Sequence, residues 1–241
     1  MRVLKVIAEG VTTSFRYPHF MFMVHPTYEM PPPATIYGHI ASALGDWFDP
    51  KEVRFAYHFS FMAKLDDLEH IILLAPSTGK IKDTPFPKVL EGNVNPFRRS
   101  LLFQPRLILY LDRPDWIEAF RSPTYAVVLG RSQDLFTYTS VSVVELEQSQ
   151  NVYLEHTLLP YHANSLTNRG YAVLMPRWID YQQGRRPMFE RYFVVHDRIY
   201  CPEELLFFER ESLPFFWADP QSPEYRGKHL GLVFHSFVGD D

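Results

Sequence analysis

Over RVLKVIA, residues 2–8, Val3 and Ile7 stand among charged neighbours, and the β-branched enrichment predicts a first strand. The period then changes. Across PPPATIYGHIASALG and the two residues after it, Ile36, Ile40, Ala43, Leu44 and Trp47 recur at helical spacing, Pro33 suits the first turn, and Gly45 supplies the stop. VRFAYHFSFMA, residues 53–63, alternates as a strand, and LDDLE at 65–69 is expected to turn the chain into HIILLA, 70–75, as a hairpin. Residues 76–105 carry Pro76, Gly79, Pro85, Pro87, Gly92, Pro96 and Pro105 without sustained periodicity and read as a long insertion. RLILYL, 106–111, reads as a buried strand. Pro114 opens a short helix over DRPDWIEAF that Pro123 must end, and YAVVL at 125–129 reads as another strand.

Strand, helix, strand, strand, helix, strand is the split βαβ order of a ferredoxin-like domain, so the expected class is α+β over residues 1–148, with the insertion set aside. Residues 149–241, short apolar runs broken by Pro and Gly, read as a smaller β-rich appendage. There is no internal repeat and no low-complexity tract.

With 241 residues, 46% of them apolar, the chain can bury a core without metals or disulfides, and 16% aromatic content argues against disorder. The single cysteine, Cys201, removes a disulfide framework and any Cys-based zinc cluster, which fits a reducing compartment. No apolar run approaches the roughly 18 residues of a membrane helix, and MRVLKVIAEG does not read as a signal peptide. The expectation is a cytoplasmic protein without a membrane partner.

A net charge of −4 gives no global argument for nucleic acid. The charge is uneven, however: residues 76–111 hold six Lys/Arg against two acids, and 161–200 hold six Arg against three. That asymmetry is compatible with one basic and one acidic face, and equally with ordinary fluctuation of surface charge.

Several constellations could carry chemistry. LGRSQ, 129–133, directly follows YAVVL; Gly130 lets the backbone turn, and its amides with Arg131, Ser132 and Gln133 could face a phosphate, or form only a turn. Arg98 and Arg99, with Phe97 before and Phe103 beyond, combine phosphate-binding charge with stacking rings, or cap a solvated hairpin. SFRYPHFMFMVHPTYEM, 14–30, holds Arg16, His19, His25 and five aromatic side chains, more than a core can absorb, and suggests a contact surface. Ten histidines form no metal-binding helix motif and no cysteine supports them, so neither metal nor other cofactor is expected. Glycine-elbow, Walker and dinucleotide motifs are absent. Tyr225, Lys228 and His229 are the nearest set for a metal-independent nuclease, which needs a base or acid, a cation and a positioning hydroxyl.

SFRYPHF…HPTYEMPPPATIYGHIASALG, 14–45, together with LGRSQDL, 129–135, resembles the handle-capping RAMP subunit of type I CRISPR surveillance complexes, the fifth-numbered family of CRISPR-associated proteins, in its I-B flavour. The resemblance covers most of the chain. It implies a ferredoxin-like RAMP domain with a β-hairpin thumb, placed on 76–105. It also implies a non-catalytic subunit that binds the crRNA 5′ handle, seats the large subunit and the first repeated backbone subunit, and meets target DNA only indirectly. Arg131, Ser132 and Gln133 would lie along the handle backbone, Arg16, Tyr17 and His19 would border it, and Arg98 and Arg99 would sit in the thumb. In the I-C branch the same subunit cuts repeat RNA, and Tyr225, Lys228 and His229 keep that alternative open. A third reading is a scaffold that touches only protein. The resemblance does not distinguish DNA degradation from guided transposition.

Overall fold

The computed structural model describes residues 1–20, 24–162, 167–206 and 214–239; residues 21–23 of the aromatic stretch, and 163–166, 207–213 and 240–241 of the C-terminal part, lie outside the described residues. Along the chain, β1 (Arg2–Gly10) is followed by the short strands β2 (Thr12–Thr13), β3 (Phe15–Arg16), β4 (Val24–His25) and β5 (Thr27–Tyr28). Helix α1 (Pro33–Leu44), β6 (Arg54–Ser60), the long strands β7 (Ala63–Pro76) and β8 (Leu90–Phe103), β9 (Arg106–Leu111), the short α2 (Ile117–Arg121) and β10 (Phe136–Glu145) come next. The protein is α+β, with few helices and many strands.

The central sheet has the order β10-β1-β9-β6-β19, where β19 is His235–Ser236, and every neighbouring pair is antiparallel. α1 joins β1 to β6 and α2 lies between β9 and β10, so two strand-helix-strand units interleave with β1 and β9 side by side. The two-residue period assigns the faces. Leu4, Val6, Phe55, Tyr57, Leu107 and Leu109 enter one core with Ile36 and Ile40 of α1. Val3, Ala56, Tyr110 and Val144 face the other way, onto Tyr153, Leu230 and Leu232. Strands buried on both faces read as nearly continuous apolar runs, which is why RLILYL was legible. α1 also keeps its predicted ends: Pro33 stands in the first turn, and Gly45 takes the left-handed C-cap at φ 85°, its N–H donating to Ala41 O at 2.9 Å.

Two elements differ from expectation. The turn expected at LDDLE is absent; β7 runs through it and pairs with β8 from Ala63↔Phe103 to Pro76↔Leu90. Asp66 and Glu69 favour turns or solvent in isolation, but Ser100, Arg98 and Arg99 take up their carboxylates across the hairpin and hold them in strand positions. The reversal falls instead between β7 and β8, around Gly79, Pro85 and Pro87, so the aperiodic stretch supplies the hairpin's tip and second strand. YAVVL is not a strand either. It runs as a loop beside α1, with Thr124 N donating to Ala43 O and Tyr125 N to Ser42 O, and only Val128 forms a bridge, to Leu135. The edge strand is β10, whose polar alternation carries too few buried apolar side chains to announce it.

The C-terminal part consists of β11 (Glu147–Ser149), β12 (Val152–Leu154), β13 (Thr157–Pro160), β14 (Tyr171–Asp180), β15 (Arg186–Val195), β16 (Ile199–Cys201), β17 (Phe216–Asp219), β18 (His229–Leu232) and β19. It forms a five-stranded sheet, β11-β17-β18-β12-β16, and a three-stranded one, β13-β15-β14. Leu158, Met175, Tyr192 and Phe237 join the core under α1, and β19 extends the central sheet beside β6. No described helix is long and apolar enough to cross a membrane.

Candidate nucleic-acid interface

Gly130 fixes the loop between YAVVL and β10. Its φ is +103°, and a Cβ there would stand 2.4 Å from Thr13 Oγ1 and 2.9 Å from Ser14 O, so no other residue fits. Below it sits Asp134, fully buried, whose carboxylate accepts the amides of Ser14 at 3.2 Å and Arg131 at 2.9 Å. Arg131 returns to the same carboxylate through Nε at 3.0 Å and Nη2 at 2.7 Å. The loop has the form of an anion cradle, but the chain's own aspartate occupies it. The Arg131 amide expected to face a phosphate is directed inward; Ser132 and Gln133 stay exposed.

The base of the β7–β8 hairpin closes over this loop. Glu69 of β7 accepts from Arg99 Nε at 2.6 Å on one oxygen and from Arg131 Nη1 on the other. Arg99 also reaches His25 Nδ1 at 3.1 Å and lies over the Phe97 ring, because β4 pairs in parallel with β8 and sets His25 opposite Arg99. Ser14 Oγ donates to Ser100 O at 2.9 Å, which completes the link between the 12–28 stretch and the hairpin. Segments far apart in sequence thus meet at one place. The Arg131 guanidinium is held above its ordinary pKa, first by its hydrogen bond to Asp134 and then by Glu69, and it is a fixed cation.

The structure sorts the residues singled out from sequence into two sets. Arg99 is buried, Arg131 is half-buried, and Tyr17 stacks on Tyr28 at 3.7 Å; these three serve as supports. Arg16, His19, Arg98, Ser132 and Gln133 are exposed. His19 tilts against Phe189 at 5.3 Å, and Arg98 lies 4.0 Å from Asp66, itself half in solvent. Sequence reasoning missed Glu69 and Asp134, the acids that organise the cluster, because a carboxylate's partners far along the chain leave no local signal.

Beyond this base the hairpin leaves the body. Its strands of 14 residues span about 45 Å. In the distal half Ile71, Ile72, Leu73 and Leu74 are all exposed, as are Val89 and Val94 opposite, so both faces of the arm are apolar and lie in solvent. Lys80, Lys82 and Lys88 lie at its tip. An exposed apolar surface of this extent marks a place where partners bind.

Tyr225 and Lys228 are paired by reciprocal backbone hydrogen bonds of 2.9 and 3.0 Å, but the side chains of Tyr225, Lys228 and His229 take different partners. Lys228 is buried, and its ammonium donates to Cys201 O at 2.8 Å, to Glu203 Oε1 at 3.0 Å and to Asn151 Oδ1. His229 Nδ1 lies 3.2 Å from Ser222 O, and Tyr225 carries the Arg198 guanidinium on its ring at 3.4 Å. Each side chain has a separate set of partners. Among the described residues no group of three or more His, Cys, Asp or Glu is arranged to hold a metal.

No family model and no curated protein matches the chain. Solved structures do match. A chain of a "CRISPR RNA-guided surveillance complex" superposes with a TM-score of 0.51 at 16% identity, covering 84% of this chain and 92% of its own. A CRISPR protein from Archaeoglobus fulgidus gives 0.48 at 11% identity over 98% and 100%, and a chain of a Type III-B Cmr-beta complex bound to cognate target RNA gives 0.46 at 12% over 83% and 86%. At such identities the likeness is one of fold.

Proposed function

We propose that this chain is a non-catalytic RNA-binding subunit of a CRISPR ribonucleoprotein effector complex, in which it caps the 5′ handle of the crRNA and joins the large subunit to the first repeated backbone subunit. The observation that carries the reading is the order β10-β1-β9-β6 with a long hairpin inserted between β6 and β9, in a fold similar to a chain of a CRISPR RNA-guided surveillance complex. The strand order supports the finer description as a ferredoxin-like RAMP domain with a thumb. The motifs at 14–45 and 129–135 add the I-B-like handle-capping role. Single-stranded RNA is gripped through phosphate charge and stacking, and the exposed Arg16, His19, Arg98, Ser132 and Gln133 offer both around one supported base. The apolar arm fits insertion among neighbouring subunits, which is where such a surface leaves water. Target DNA is met through the complex, and the assembly works in the cytoplasm without a membrane partner.

The non-catalytic role draws support from Lys228, whose ammonium is fully engaged by Cys201, Glu203 and Asn151. Co-expression with the backbone and large subunits and a crRNA tests the proposal. One copy of the chain per complex, with the handle shielded from nucleases and released by replacing Arg16 and Arg98 with Ala, is the expected result. Assembly at full stoichiometry without RNA would make it a scaffold, and cleavage of repeat RNA in chelator would make it a nuclease.

A further inference from the structure

Of the chain's 11 glycines, Gly38 alone has neither a left-handed φ nor any atom within 4 Å of the Cβ it lacks. It stands in the interior of α1, where glycine costs stability relative to alanine, and no contact within the chain requires it. Gly45 is the contrast: its φ is +85°, and a Cβ there would stand 2.6 Å from Thr124 Oγ1. The missing side chain at Gly38 leaves room for something outside the chain.

That room belongs to a hollow of about 460 Å³ lined by Gly38, Ser42 and Gly45 of the helix and its cap, by Trp47 and Tyr125, and by Asp46 just past the helix end. Both aromatic residues are held in place. Tyr125 sits in the loop bonded along α1, its N–H donating to Ser42 O at 3.3 Å, and Trp47 stacks on Tyr181 with ring centroids 4.5 Å apart. Yet Tyr125 is 61% exposed and Trp47 48%. Fixed, exposed aromatic side chains beside small residues make a protein interface, since tyrosine and tryptophan dominate the binding energy of such surfaces.

Charge selects the occupant. Asp46 is exposed beyond the C-terminus of α1, where the helix dipole is already negative, and no basic residue stands in the last turn to offset it. Its Oδ1 accepts the Trp47 amide at 2.7 Å, and among the described residues no lysine or arginine lines the hollow. Arg121, in the neighbouring α2, is paired with Glu118 at 2.8 Å. An RNA phosphate would be repelled here. A guanidinium satisfies the carboxylate, the dipole and the tyrosine ring together.

We propose that this hollow is a docking site for a neighbouring protein subunit, whose backbone approaches α1 at Gly38 and whose arginine stacks on Tyr125 and pairs with Asp46. The inference rests on the reading of the chain as a subunit of a complex, and it gives that subunit a protein contact made by the helix rather than by the apolar arm.

Co-expression of the assembled complex tests it. Gly38→Leu fills the hollow without meeting any atom of the chain, so the melting temperature should hold or rise while recovery of one protein neighbour falls about tenfold. Asp46→Lys should lower it as far. With p-benzoylphenylalanine in place of Tyr125, irradiation should join the chain to an arginine-containing peptide of that neighbour, and Arg→Glu in that peptide should restore the Asp46→Lys complex. A crosslink to RNA or to a peptide without arginine overturns the docking site, as does full recovery of every protein subunit with Gly38→Leu and Asp46→Lys; each of these leaves the handle-capping role standing. A parent chain that enters no complex overturns both.

Discussion

Arg99 and Arg131 are held on the two oxygens of a single carboxylate, Glu69, Arg99 Nε at 2.6 Å from one and Arg131 Nη1 donating to the other. This shared acid joins the hairpin base to the 129–135 loop and withdraws both arginines from solvent. Glu69→Ala leaves two partly buried guanidinium groups without their common partner, at a cost of about 2 kcal/mol and roughly 4–8 °C in Tm. Thermal unfolding of the variant checks this, and a Tm within 1 °C or so of the parent contradicts it.

Arg16 and Arg98 should behave in the opposite way. Both are exposed and outside the core, so alanine there is expected to change stability by less than about 0.5 kcal/mol. RNA affinity should fall for each, and the slope of log affinity against log salt should drop by about one per lost phosphate contact. Titrations at several salt concentrations read both quantities. Arg99→Ala and Arg131→Ala should instead lose stability first and RNA binding only as a consequence.

The distal arm gives a third expectation. Ile72→Lys with Leu74→Glu places charge where the side chains are already in solvent, so the melting temperature should hold and self-association of the isolated chain should fall. Incorporation into the complex should be lost. Light scattering and co-purification measure the two effects separately; unchanged incorporation would remove the arm from the partner interface.

A histidine cluster sets the response to acid. His58, His156 and His196 stand with ring centroids 5.1 and 6.0 Å apart, beside Glu155, Arg198 and Glu29. Burial, and then the neighbouring His58, depress the His156 pKa from 6.5 to about 4, and burial lowers His196 as well. A histidine with a depressed folded-state pKa binds protons more readily once unfolded, so its contribution is fully present above pH 6.5 and is lost as pH falls toward 4. Glu155, desolvated but held down to about 2 by His58 and Arg198, acts in the same direction below its ordinary 4.5. Urea midpoints should therefore decline between pH 6.5 and 4. His156→Asn, which suits the positive φ of 48° at that position, should flatten the decline; an equal slope in parent and variant contradicts the assignment.

Much of the frame was legible because local chemistry coincided with tertiary demand. In α1 the apolar period, Pro33 and Gly45 all agree, and RLILYL is buried on both faces. The long hairpin was misread where those levels conflict: LDDLE carries the residues of a turn, and the ladder to the opposite strand, with Ser100 and Arg99 on its carboxylates, makes it extended. HIILLA, expected as the second strand of a short hairpin, is instead part of the first long strand, with Ile71, Ile72, Leu73 and Leu74 in solvent. At the site, sequence supplied the cations and not the acids. Arg99 and Arg131 drew notice as positive charges beside aromatic residues and glycine, yet their orientation depends on Glu69 and on Asp134, whose burial beneath Gly130 no spacing encodes.

The most direct test of the central claim is incubation of the chain with labelled CRISPR repeat RNA in EDTA, alone and with the backbone and large subunits, following product length and nuclease protection together. The account predicts RNA of unchanged length, its 5′ handle shielded in the full assembly and uncovered by the Arg16 and Arg98 variants. A discrete cut that disappears with His229→Ala, or a complete assembly that never retains RNA, would contradict it.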